Sequence, residues 1–228
     1  MDIQIHGDAY GIANLVLNYD EKAYVAHGSI AVLSDGIDVR GSFGGDGVVS
    51  AFKRHVLGGE SLLFTEVHAQ IDGVFVSVAP PYPGGVQAVR VNPSNPLFVE
   101  SGSLLAYAEG VSGNARVDGL RTMLLHEGIT LLELSGEGLA AISGCGTIEH
   151  VDLEEGQSLI VDTGHLVGFS SSMIYDVGPL GSVAKSITTG EGLVARLTGP
   201  GEIFTQTRAP QDLQNWLFPD HPQNGPER

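Results

Sequence analysis

The chain has 228 residues, 42% of them hydrophobic and 17% charged, which is enough apolar material to bury a core and excludes intrinsic disorder. Asp and Glu outnumber Lys and Arg by 27 to 11, a formal net charge of -16, so a nucleic-acid backbone or an anionic membrane surface is repelled at long range. Gly reaches 32 residues without a collagen-like period, which points to many tight turns, and a lone Cys145 excludes an internal disulfide and a cysteine-rich zinc cage.

From the N-terminus, Met1 to His6 contain no basic stretch followed by an apolar one, so no secretory or mitochondrial presequence is expected. Gly or charge interrupts every apolar run before the roughly 20 residues that span a bilayer, so no transmembrane segment is expected. The expectation is a soluble protein of the reducing cytoplasm.

Lys22 to Ile30 read as a strand, a Gly turn and a second strand. The same pattern returns at Pro96 to Leu104 and at Ser158 to Leu166. Each copy has a Val three residues before the Gly (Val25, Val99, Val161) and a branched aliphatic two residues after it (Ile30, Leu104, Leu166). Gly28, Gly102 and Gly164 then supply a positive φ or a bulge. A second block follows each first one: Gly59-Glu60-Ser61-Leu62-Leu63, Gly136-Glu137-Gly138-Leu139-Ala140 and Gly190-Glu191-Gly192-Leu193-Val194. Ordered recurrence of two blocks is the signature of a repeat architecture.

The pattern predicts an all-β chain of three tandem β-sandwich units with pseudo-threefold repetition, at about 10–80, 86–148 and 149–208, within one β domain spanning 1–208. Pro80 to Gly85 mark the plainest break between units, because Pro and Gly end ladders. In the remaining segment, 209–228, Pro210 to Leu217 predict one short helix packed through Leu213, Trp216 and Leu217, followed by a flexible polar tail.

No catalytic constellation emerges from spacing. His55, His68, His126, His150 and His165 form no HxH, HxxxH or HExxH pair, so no metal and no cofactor are expected. Ser182 and Lys185 match an SxxK spacing but lack its companion elements. Cys145 has no adjacent base and reads as a structural thiol. The leading functional expectation is a non-enzymatic binding or assembly scaffold, self-associating as a homo-oligomer with a protein partner or small ligand. The alternative is an enzyme whose polar site assembles from residues distant in sequence, with His165, Glu191 and Glu202 as its candidates.

Leu159 to Val167, Thr189 to Leu193 and Thr198 to Arg208 resemble the mitochondrial-biogenesis, altered-inheritance-of-mitochondria family, within the superfamily named for the tryptophan RNA-binding attenuator protein. The resemblance implies three small β-sandwich units that exchange strands. Fungal relatives are associated with organising the mitochondrial inner membrane, and prokaryotic relatives lack an assigned reaction. Without a presequence the chain looks like the prokaryotic form. The matched positions are glycine turns and strand residues, so the resemblance transfers no active-site group.

Overall fold

Alternation decides the local structure. In β2 (Ile12–Leu17) every second side chain, Ala13, Leu15 and Leu17, is buried, and in β3 (Lys22–Ala26) Ala23 and Val25 are. Such a period of two can place one face of a strand on a core, whereas a helix would scatter these residues around its axis. The structure is a computed structural model describing residues 1–40, 64–115, 130–179 and 193–219. The remaining strands are β1 (Asp2–His6), β4 (Ile30–Leu33), β5 (Ile37–Arg40), β6 (Phe64–Ala69), β7 (Val74–Val78), β8 (Gly84–Val91), β9 (Leu97–Glu100), β10 (Leu104–Ala108), β11 (Val111–Ala115), β12 (Leu131–Gly136), β13 (Gly138–Cys145), β14 (Ile148–Leu153), β15 (Ser158–Asp162), β16 (Leu166–Ser170), β17 (Ile174–Pro179), β18 (Leu193–Thr198) and β19 (Gly201–Gln206). One helix, α1 (Pro210–Leu217), comes after them.

After β1 the same six-strand pattern occurs three times, as β2–β7, β8–β13 and β14–β19, which form units 1, 2 and 3. In unit 1, β6 lies between β3 and β5 while β7 lies between β2 and β4; in unit 2, β12 lies between β9 and β11 while β13 lies between β8 and β10. In unit 3, β18 lies between β15 and β17 while β19 lies between β14 and β16. All of these pairings are antiparallel.

The units share sheets. β3 pairs with β10, giving the order β5-β6-β3-β10-β13-β8, and β9 pairs with β16, giving β11-β12-β9-β16-β19-β14. The shorter sheets β1-β2-β7-β4 and β15-β18-β17 take no strand from the middle unit. Three cores reflect this sharing rather than the unit boundaries. Unit 1's core takes Val86, Leu105, Ala106 and Ala141 from unit 2; unit 2's takes Phe64 from unit 1 and Val167 and Phe204 from unit 3; unit 3's takes Phe98 and Leu131 from unit 2.

The first sequence block occupies equivalent places. Val25, Val99 and Val161 lie opposite Thr65, Leu132 and Ala195, on the middle strand of the triplets β3-β6-β5, β9-β12-β11 and β15-β18-β17. Five residues later, Ile30, Leu104 and Leu166 each precede a register shift of one residue, a β-bulge centred on Ala31, Leu105 and Val167. Val25 and Val99 are buried, but Val161 is only half-buried, on a strand that among the described residues pairs on one side alone.

Three expectations need correction. Of the three turn glycines only Gly28 has a positive φ, of 78°. Gly102 and Gly164 instead sit in 3-10 turns, where their amides donate to Glu100 Oε1 at 3.0 Å and Asp162 Oδ1 at 2.8 Å. A Cβ at either glycine would come within 3.1 Å of that carboxylate. Unit 1 has Ala26 at the carboxylate position and closes its turn through Ser29, whose amide and hydroxyl both donate to the Ala26 carbonyl. The second sequence block is not equivalent in units 2 and 3: Gly138, Leu139 and Ala140 open β13, whereas Leu193 and Val194 open β18. Gly59 to Leu63 and Gly190 to Gly192, the rest of this block, lie outside the described residues. In α1, Leu213 is half-buried but Trp216 is 76% exposed and Leu217 is exposed too, because eight residues held at buried Ala209 turn only one narrow side toward the sheets.

Burial pushes the Glu100 carboxyl above the usual carboxylate range, against hydrogen bonds from the Gly102 amide and the Ser101 hydroxyl. A carboxyl raised in the fold contributes stability that is fully present below its unfolded value of about 4.3 and is lost as pH rises through the folded value. Glu100→Gln keeps a carbonyl for the Gly102 amide and removes the titration. Urea midpoints of the two proteins between pH 4 and 8 should therefore diverge in favour of Gln as pH rises; a constant difference would refute a burial-raised carboxyl.

Candidate functional site

The junction of units 2 and 3 is built on Gln206, the last residue of β19. Its side chain is buried, accepts from the Cys145 amide through Oε1 at 2.7 Å and donates through Nε2 to the Gly164 carbonyl at 2.8 Å. Two backbone groups that strand pairing leaves over are thereby satisfied, which is the usual requirement for burial. The His165 ring meets the Gln206 carbonyl through Nδ1 at 2.7 Å. A carbonyl only accepts, so Nδ1 carries the proton, and Nε2 is the ring nitrogen left for other chemistry. Cys145 is buried, and burial pushes its thiol up, partly opposed by the Arg208 charge. The thiol is thus held away from the reactive thiolate form.

A second cluster lies on β14 and β19. His150 and Asp152 are two residues apart on β14 and so share a face, and the antiparallel register places Glu202 directly opposite Asp152. His150 Nε2 lies 3.5 Å from Asp152 Oδ1 and 4.0 Å from Glu202 Oε1, and its ring stacks on Phe204 with centroids 4.9 Å apart and planes 8° from parallel. One ligand atom from each of the three lies within 4.8 Å of the others, a spacing that could hold a cation. His150 and Asp152 are open to solvent and Glu202 is partly so, and exposed pairs of this kind are worth little to stability. His150 and Asp152 at strand spacing are the signal the sequence carries; Glu202 is named there beside His165 and Glu191, but its grouping with His150 and Asp152 was out of reach because only pairing brings them together.

The fold does not gather the polar candidates into one place. His165 pairs with the Gln206 end of β19, whereas Glu202 joins His150 and Asp152 four residues earlier, about 14 Å along a strand rising about 3.4 Å per residue. Glu191, His55, His126, Ser182 and Lys185 lie outside the described residues. His68 sits on β6, with Nε2 2.8 Å from Asp20 Oδ1 and Nδ1 3.2 Å from the Gln70 amide nitrogen. No helix among the described residues is long and apolar enough to cross a membrane.

Comparison with known proteins places this geometry in a family. A family model described as mitochondrial biogenesis AIM24 matches residues 3–208. An uncharacterised protein of Streptococcus pyogenes serotype M6 is 23% identical over 205 residues, covering 87% of this chain and 82% of its own. The X-ray crystal structure of a Streptococcus pyogenes protein superposes with a TM-score of 0.76 at 22% identity, covering 95% of this chain and 97% of that one. At that identity the likeness shows the fold. Both relatives are bacterial, in keeping with the prokaryotic form of the family.

Proposed function

We propose that this chain, which belongs to the mitochondrial biogenesis AIM24 family, is a non-enzymatic assembly scaffold that works as a homo-oligomer in the cytoplasm. The observation that carries this reading is the way its units are joined. They connect by adding the edge strand of one unit to the edge strand of the next, twice, so that sheets grow across unit boundaries. A surface built for edge addition supports association with further strands, since an uncovered edge presents unpaired amides and carbonyls. The distance between His165 and Glu202 speaks against a catalytic pocket formed by those two residues. The acidic composition favours a protein partner or small ligand over a nucleic acid. The buried, unpaired Cys145 suits a reducing compartment.

Light scattering on a dilution series at about 0.02 and 0.15 M salt, where the screening length falls toward about 8 Å, tests the reading. The expected result is a multimer whose mass does not change with dilution at the higher salt. A monomer at every concentration in both buffers would end the proposal.

A further inference from the structure

Both seams between units share one register. In the first, Ala106, Tyr107 and Ala108 of β10 face Val25, Tyr24 and Ala23 of β3. In the second, Gly168, Phe169 and Ser170 of β16 face Val99, Phe98 and Leu97 of β9. Each seam joins the strand before the turn in one unit to the strand after the turn in the next. One strand of each kind remains: β15 in unit 3, the counterpart of β3 and β9, and β4 in unit 1, the counterpart of β10 and β16. Transferring the register sets Val32 against Val161, Leu33 against Ile160 and Ser34 against Leu159.

Among the described residues β4 and β15 do not pair with each other, and each ends its own sheet. Other described strands also lie at edges, but β4 and β15 are the two whose counterparts are joined to another unit. Their side chains carry the mark of a missing neighbour. Val32, Leu33, Leu159 and Ile160 are 49%, 41%, 38% and 44% exposed, whereas their counterparts Ala106, Tyr107, Leu97, Phe98 and Phe169 are buried. The bulge residues agree. Leu105 enters unit 1's core and Val167 enters unit 2's, while Ala31 faces solvent.

We propose that β15 of one copy adds antiparallel to β4 of a second copy, in the register of the internal seams, so that chains join head to tail. This rests on the assembly reading above and assigns its interface. The two edges are opposite halves of one seam, so β4 matches β15 and not another β4. Such a heterologous contact repeats until it closes as a ring or continues as a filament. None of the six facing positions is charged, so the net charge of -16 opposes association only at longer range, where salt screens it. The bulge residue Ala31 of the second copy would then turn toward unit 3 of the first, as Leu105 and Val167 turn toward the units before them.

The test uses the full chain. Val32→Cys and Val161→Cys are coexpressed as two distinguishable chains and mildly oxidised; residues directly opposite on antiparallel strands lie about 4.5 to 5.5 Å apart, within disulfide reach. The expected product is a disulfide between the two different variants, with neither variant linking to itself. Separately, Ile160→Lys should convert the multimer to monomer at unchanged circular dichroism, since Ile160 is exposed in the single chain. If Ile160→Lys fails to fold, the cysteine pair alone decides. A multimer that gives no mixed disulfide, or one in which a folded Ile160→Lys protein keeps its mass, overturns the β15–β4 seam and leaves the assembly reading standing. A monomeric wild type sinks both.

Discussion

Phe169→Ala is expected to lower the stability of the protein by about 4 kcal/mol, the middle of the range for deleting a buried aromatic side chain. Phe169 is buried in β16 at the seam between units 2 and 3, directly opposite Phe98 of β9. Its ring centroid lies 5.3 Å from that of Phe98 and 5.3 Å from that of Tyr175, and the Phe98 and Tyr175 centroids are themselves 5.7 Å apart. Truncation removes one ring from a three-ring cluster and leaves a cavity that extended backbone on both sides can only partly close. Leu33, the matching position in β4, offers the contrast: it is exposed in the single chain, so Leu33→Ala should change monomer stability by only about 0.5 kcal/mol. Urea unfolding under conditions that keep the protein monomeric measures both. A loss below about 1 kcal/mol for Phe169→Ala would mean that the seam is not a packed core.

Gly136→Ala should cost about 3 kcal/mol, from two causes that add at one atom. The residue closes β12 with a φ of 98°, a conformation that side-chain-bearing residues resist. A Cβ there would also collide with the Gly110 carbonyl, a backbone atom fixed by the pairing of Val111 with Gly136 and by the Glu137 amide bonded to that carbonyl. Gly28→Ala separates the two causes. Gly28 has a φ of 78° but nothing within 4 Å of an added Cβ, so only the backbone term, about 1 kcal/mol, should be lost. Equal losses at the two sites, read from urea midpoints, would contradict the assignment of the larger effect to the carbonyl.

The triplication was legible because strand, turn and strand lie within nine consecutive residues. Val25, Val99 and Val161 keep their spacing to Gly28, Gly102 and Gly164 whatever the intervening loops do. Yet the glycines recur for different reasons, a positive φ at Gly28 and a folded-back carboxylate at Gly102 and Gly164, and a shared letter does not distinguish these. Longer-range facts were out of reach. Gln206 satisfies an amide 61 residues away at Cys145, and Glu202 meets His150 only because β14 and β19 pair in one register. The exposure of Trp216 is not legible, because an apolar side chain on a short helix looks the same in sequence whether or not a surface lies beneath it. The incomplete burial of Val161 had no sequence signal either, since it depends on what packs against β15.

The lending of core residues between units sets how the molecule should come apart. Unit 1's core is completed by Leu105 and Ala106, and unit 3's by Phe98 and Leu131, all from the middle unit. A chain shortened after β13 would uncover Phe98 and Leu131, and one begun at β8 would uncover Leu105 and Ala106, so neither truncation leaves intact modules behind. The sequence is modular while the free energy is not. Heat should therefore melt the repeats together, with the calorimetric enthalpy equal to the van't Hoff value per cooperative unit, rather than peeling them off from an end as nearest-neighbour solenoids do.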